Sequence, residues 1–340
     1  MAETVARTRV SFAVGLAAIL ALSACRSSSS SEISERVSGP SVSTAGGRSA
    51  PEAFSLLGEP LYAPILPEPV REERERELAA ARAALAAAPG DPEALIWVGR
   101  RLGYLGRYRE AVAVFSEGIA RHPDDARFLR HRGHRFLTMR RLKLAEADLA
   151  RAAGLVRGRP DEVEPDGQPN ERGIPTSTLQ SNVWYHLGLA RYLRGDFEGA
   201  LAAYRECLAV SGNPDMRVAT SHWLYMTLRR LGPQGEETAE AAEVLTPIHA
   251  GLDVIENQAY HRLLLMVRGE LSPEEILAEA EGDAGSLDFA TIGYGVANYH
   301  IYNGREAEAD ALFERILQGG QWAAFGYLAA EAEVARARGC

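Results

Sequence analysis

Along residues 92–159 the small, apolar and aromatic positions fall into two copies of one 34-residue pattern, laid end to end. In the first copy Leu95, Val98, Gly99, Leu102, Gly106, Tyr108, Ala111, Phe115, Gly118 and Pro123 stand at fixed offsets. One period later come Leu129, Gly133, Phe136, Leu142, Ala145, Leu149 and Ala152. Gly99 and Gly133 leave room for a neighbouring helix to cross closely. Ala111 and Ala145 do the same on a second helix, and Phe115 and Leu149 fill the space between. One such hairpin cannot bury its own apolar face, so the units must stack. The pattern therefore predicts an all-α solenoid.

The rest of the chain extends or interrupts that stack. A charged, then alanine-rich helix over residues 70–88 precedes the repeats, with Leu78, Ala81 and Leu85 on one side. The period breaks at 157–179, where prolines, glycines and acidic residues remove any helical periodicity. A loop this long inside a compact array is functional or disordered as a rule. Its Ile174, Pro175 and Leu179 give it something to bury. The pattern resumes at about 181–214 with Trp184, Leu187, Gly188, Gly195, Phe197, Ala200, Tyr204 and Cys207. A weaker repeat follows at about 218–253, its helices expected over 218–231 and 236–248. Ser272, Pro273 and Glu275 open a further helix with a cap residue, a first-turn proline and an acidic third position. The last repeat is about 290–323. A final helix over 322–338 carries Trp322, Phe325 and Leu328 on one side and Glu331, Glu333, Arg336 and Arg338 elsewhere, as expected of a capping helix.

The N-terminus has a different character. Arg7 and Arg9 precede an almost wholly apolar run at 10–24, which is too short to span a bilayer and has the layout of a secretory signal. Residues 25–49 are rich in Ser and Gly and read as a flexible tether. Residues 50–69 are too apolar for a free linker and too broken by proline for a helix, so an extended segment along the first helices is expected.

Composition changes this picture little. Of 340 residues, 46% are hydrophobic and 24% charged, which excludes a disordered chain. A net charge of −9 argues against general nucleic-acid binding. Cys25, Cys207 and Cys340 give no metal or redox spacing, and Cys207 falls at a small-residue position between helices.

The repeat length and pattern resemble the tetratricopeptide repeat (TPR), a helix-turn-helix unit that stacks into a right-handed α-solenoid with a capping helix. Leu22-Ser23-Ala24-Cys25 after the apolar run resembles the bacterial lipobox. That resemblance implies a signal peptide at 1–24 and lipidation (palmitate) of Cys25. Two or more acyl chains hold a protein stably at a membrane. Arg26, in place of an aspartate, leans toward the periplasmic side of the outer membrane, with the inner membrane left open. Further on, His222-Trp223-Leu224-Tyr225, then Tyr260, then Arg268-Gly269-Glu270-Leu271-Ser272-Pro273, then a terminal repeat and a Trp/Phe-containing last helix, look like the NlpI type of outer-membrane lipoprotein. The resemblance implies an adaptor that brings proteases or peptidoglycan enzymes to their targets.

No catalytic motif, phosphate loop or cofactor signature stands out, so no enzyme and no cofactor are expected. His131 and His134 share a helical face, but no third ligand completes a zinc set in sequence. In TPR arrays the first helix of each pair lines the concave side. Its positions here give Arg100 and Tyr104, then Arg127, Arg130 and His134, then Tyr185 and Tyr192. That basic, aromatic-flanked strip suits an acidic or C-terminal peptide of a protein partner, unless local acids pair the arginines. Oligomeric state is left open, a homodimer included. Two other readings stand beside the scaffold. One is a small-ligand or metal-binding protein using 157–179 with His131, His134 or His186. The other is an assembly factor, or pilotin, of a secretion or pilus machine.

Overall fold

A computed structural model describes residues 50–280 and 287–339. The signal-like segment 1–24, Cys25, the tether 25–49 and Cys340 lie outside the described residues. Helix α1 (Glu68–Ala87) leads into three regular hairpins: α2 (Pro92–Tyr104) with α3 (Tyr108–Arg121), α4 (Ala126–Thr138) with α5 (Leu142–Val156), and α6 (Leu179–Leu193) with α7 (Phe197–Val210). Then come α8 (Pro214–Leu231), α9 (Ala239–Leu245), α10 (Gln258–Val267), α11 (Pro273–Ala280), α12 (Leu287–Tyr302), α13 (Glu306–Gln318) and α14 (Phe325–Ala337). In the regular repeats each helix packs on the next, and α2 also touches α4, as α4 touches α6 and α6 touches α8. First helices thus form one continuous face of an all-α solenoid.

The glycine rule holds atom by atom. A Cβ on Gly99 would lie 2.4 Å from Phe115, one on Gly133 2.7 Å from Leu149, and one on Gly188 2.6 Å from Tyr204. Each first helix meets the bulky side chain of its own second helix at a residue without a side chain. Helix starts follow local chemistry. Asp91 and Asp125 accept from the amides of Glu93 and Arg127, and Thr178 forms a capping box with Ser181. Ser272 and Glu275 cap α11 reciprocally.

The turns inside the hairpins carry Gly106, Gly195 and Gly304 at φ of 74°, 79° and 71°. In the second repeat this left-handed position is Arg140, at φ 61°. An L-residue pays about 1–2 kcal/mol for that conformation. Its side chain gives the compensation. Arg140 forms a buried ion pair with Glu331 at 2.7 Å and donates to the carbonyls of Thr138 at 2.6 Å and Trp322 at 2.8 Å.

Several boundaries move. Helix α8 begins at Pro214, ahead of residue 218, because Asn213 accepts from the Met216 amide and Pro214 occupies the first turn. The helix expected over 236–248 is the short α9, started by Thr238. Helix α1 begins at Glu68. Within 50–69, strand β1 (Ala53–Phe54) pairs antiparallel with β2 (Pro60–Leu61). This hairpin bridges the two ends of the described chain. Glu52 accepts from the Arg109 amide, while the Leu56 amide donates to Glu331 and Trp322 Nε1 donates to the Tyr62 carbonyl at 2.9 Å.

Helix α14 departs furthest from expectation. It covers α12 and α13 and also returns to α6. Glu331 and Glu333, expected away from the packed side, are 1% and 9% exposed, because Arg140 and Arg230 reach in to pair with them. Cys207 is fully buried against Thr220, and burial pushes its thiol up to about 11.

Candidate functional site

Residues three and four apart on a helix share a face. That spacing puts Arg100 beside Tyr104 on α2, and Arg130 beside His134 on α4. Because α2 lies against α4, the two sets meet at a cavity of about 120 Å³ lined by Arg100, Tyr104, Arg130, His131, Arg135 and Glu164. Arg130 is 8% exposed and pairs with Glu164 at 2.9 Å. Arg100 donates to the Tyr104 hydroxyl at 3.2 Å and lies over the Trp97 ring at 4.3 Å. Arg135 lies over the Tyr108 ring at 5.3 Å. Among the described residues, neither Arg100 nor Arg135 has a carboxylate partner.

Three guanidinium groups around one carboxylate repel one another. Burial lowers the pKa of Arg130; Glu164 opposes this, and Arg100 and Arg135 add to it. Arg130 donates to His131 Nδ1 at 2.9 Å. Since arginine can only donate, Nδ1 accepts and His131 is neutral with its proton on Nε2. Burial, then the Arg130 charge, holds His131 well below the usual range. Behind it the His134 and His186 rings lie 4.4 Å apart, tilted by 38°, and burial depresses both, His186 to about 3. His186 Nδ1 donates to the Asn182 carbonyl at 2.6 Å. No group of three or more His, Cys, Asp or Glu side chains suited to a metal occurs among the described residues.

The residues singled out in sequence divide three ways. Arg100, Tyr104, Arg130 and His134 come together at the cavity, His134 on the side that α14 covers. Arg127 stands apart at the start of α4, paired with Asp125 at 2.6 Å and Glu93 at 2.7 Å. His134 and Tyr185 are covered by α14, whose Phe325 ring sits 5.5 Å from His134 and 6.2 Å from Tyr185. Tyr192 is 1% exposed in the core, hydrogen-bonded to Tyr294 at 2.9 Å and Asn298 at 2.6 Å. Burial raises its phenol to about 12.

Sequence reasoning missed Arg101, Arg135 and Gly167, and it reads Glu164 only as one acid of the 157–179 loop, not as the partner of Arg130. Arg101 donates to Glu77 and to the Gly167 carbonyl, each at 2.9 Å. The segment 157–179 thus lies on the strip. Val163 bridges to Thr178, and Asn182 Nδ2 donates to Glu164 at 3.1 Å. Its far end is tied to the loop before α10 by Arg172–Asp253 at 2.8 Å.

The sequence profile of the tetratricopeptide repeat matches residues 181–214, which contain most of α6 and all of α7. Among solved structures the chain is similar to YrrB, described as a TPR protein with an unusual peptide-binding site. That likeness has 14% identity and a TM-score of 0.38 and covers 71% of this chain and 92% of that one. A thermophilic TPR protein of Thermus thermophilus is similar at 22% identity, with a TM-score of 0.40 over 57% of this chain and 92% of that one. No curated protein matches. The fold is an all-α solenoid of TPR type.

Proposed function

We propose that this TPR-type solenoid is a non-catalytic scaffold that holds an acidic segment of a protein partner on α2 and α4. One observation carries the reading: Arg100, Arg130 and Arg135 converge on a single cavity with one carboxylate among them. A guanidinium in a half-buried site is weakly hydrated and offers a planar fork of donors to a carboxylate. An incoming carboxylate would gain charge-assisted hydrogen bonds and relieve the mutual repulsion. The sequence around Cys25 supports display from an envelope membrane, and the order of motifs after residue 222 supports an NlpI-like adaptor for proteases or peptidoglycan enzymes.

The test is recovery of partners from envelope extract on the immobilised chain. The Arg100→Ala/Arg135→Ala double variant should recover acidic partners at least about fivefold less well, a change of about 1 kcal/mol. Equal recovery of every partner removes the reading. In cells, Cys25→Ser should move the chain from the membrane to the soluble fraction; a chain that stays on the membrane refutes the lipid anchor.

A further inference from the structure

Segment 157–179 occupies the arginine strip, and only some of its contacts read sequence. The Glu164 carboxylate takes Arg130 at 2.9 Å and Asn182 at 3.1 Å. Three residues on, the Gly167 carbonyl takes Arg101 at 2.9 Å. Gly167 is buried, and a Cβ there would lie 2.0 Å from the Tyr104 hydroxyl oxygen and 2.9 Å from the Arg100 guanidinium, so a side chain enters only by displacing both. Around these two anchors Val163, Pro165, Gln168 and Pro169 are exposed.

The same segment is lightly held. Its apolar residues Val163 and Ile174 are 63% and 45% exposed, so little hydrophobic burial fastens it. Its Arg172–Asp253 tie is a surface pair, a class worth about 0–1 kcal/mol. Its other ties are polar: Asn170 and Thr176 reach Glu256, and Asn213 donates to the Thr176 carbonyl at 2.7 Å. The flanking chain adds a local concentration on the order of millimolar.

We propose that the strip recognises an acidic residue followed three positions later by glycine, and that Glu164 to Gly167 is a resident copy of that motif which a partner segment displaces. This rests on the scaffold reading above and adds the recognised sequence and its competitor. Arg100 and Arg135, which the resident copy leaves without a carboxylate, favour a partner that brings a second acid.

The probe is a fluorescein-labelled peptide of residues 161–171, read by fluorescence anisotropy on the full chain. The Glu164→Gln chain should bind it at least about tenfold more tightly than the unaltered chain. A probe carrying Gly167→Ala, or one carrying Glu164→Gln, should lose that gain. Equal affinity for both chains, with Arg101→Ala or Arg135→Ala weakening each, overturns the competition and leaves the scaffold standing. Equal binding of all probe versions overturns the motif. Absence of binding to every chain overturns both. A second measurement needs no variant. The Glu164 amide donates to the Ser177 carbonyl at 3.2 Å, and its hydrogen-exchange protection should fall when saturating probe is added to the unaltered chain. Unchanged protection with probe bound refutes displacement.

Discussion

On α2 and α4 the shared face carries Arg100, Tyr104, Arg130 and Arg135. On α6, α8 and α12 the core instead gathers Tyr192, Trp223 and Tyr294, each 1% exposed. The hairpin beneath is the same in both regions, since Gly99 meets Phe115 just as Gly188 meets Tyr204. Helix spacing therefore does not separate them. The covering element does. Near α6 that element is α14, which brings Phe325, Leu328 and two buried glutamates. Over α2 and α4 it is an aperiodic segment held by polar contacts. The same repeat becomes core where an apolar helix closes it and a receptor where a displaceable loop does.

The largest expected effect tests that contrast with two carboxylates. Glu331→Ala would strand Arg140, which has 3% of its side chain exposed. Breaking a buried pair in this way costs about 3–5 kcal/mol. Glu164→Ala also deprives a buried arginine, but the segment above Arg130 can lift and admit water, so about 1 kcal/mol or less is expected. Urea denaturation of both variants decides it. Equal losses would mean that 157–179 is as firmly built in as α14. An Arg140→Met/Glu331→Leu double variant should recover only part of the first loss: it removes the stranded charge, but the Leu56 amide and the carbonyls of Thr138 and Trp322 lose their partners.

Acid should weaken both regions through their histidines. Burial lowers His186 and His222 to about 3, against about 6.5 when unfolded. Below pH 6.5 the unfolded chain takes protons that the folded chain refuses. Stability is therefore complete above that pH and falls as pH drops toward 3. Each of the two should cost about 1 kcal/mol at pH 5.5 relative to pH 7.5. His222→Leu should flatten the dependence by its share, while the His131 and His134 contributions remain on the α4 side. A stability curve flat from pH 7.5 to 5.5 would contradict the buried neutral state of these rings.

Much of the solenoid was legible because its rule is local and periodic. Gly99, Gly133 and Gly188 announce helix contacts within one hairpin. Arg140 broke that rule in plain view, at the place where Gly106 and Gly195 stand, yet its partner Glu331 is 191 residues away. No period links them. The strip was only partly legible. Successive residues on a helix turn by about 100°, so Arg101 and Arg135, one step past Arg100 and His134, fell outside a face assigned by repeat position. Both nevertheless reach the site on long side chains. Tyr185 and Tyr192 followed the repeat position faithfully, but α14 and the tyrosine network cover that part of the face. The path of 157–179 had no pattern to read, because its register is set by Arg101, Arg130 and Asn182 from three separate helices.

The smallest expected effect belongs to Arg127, and it separates a charged neighbour from a ligand-binding one. Arg127 shares the helix of Arg130 and sits one turn away, so charge alone predicts similar roles. Its environment differs. Asp125 and Glu93 already engage its guanidinium, and the Asp125 hydrogen bond, together with the charges of both acids, raises its pKa where burial lowers that of Arg130. Its side chain is 31% exposed, which places the pair among partly screened surface contacts. Arg127→Ala should cost under about 1 kcal/mol in urea denaturation. It should leave binding of the 161–171 probe within about twofold, while Arg101→Ala weakens it about tenfold, or 1.4 kcal/mol. If Arg127→Ala matched Arg101→Ala, recognition would follow the overall positive charge of the strip, and the specific contacts at Glu164 and Gly167 would lose their role.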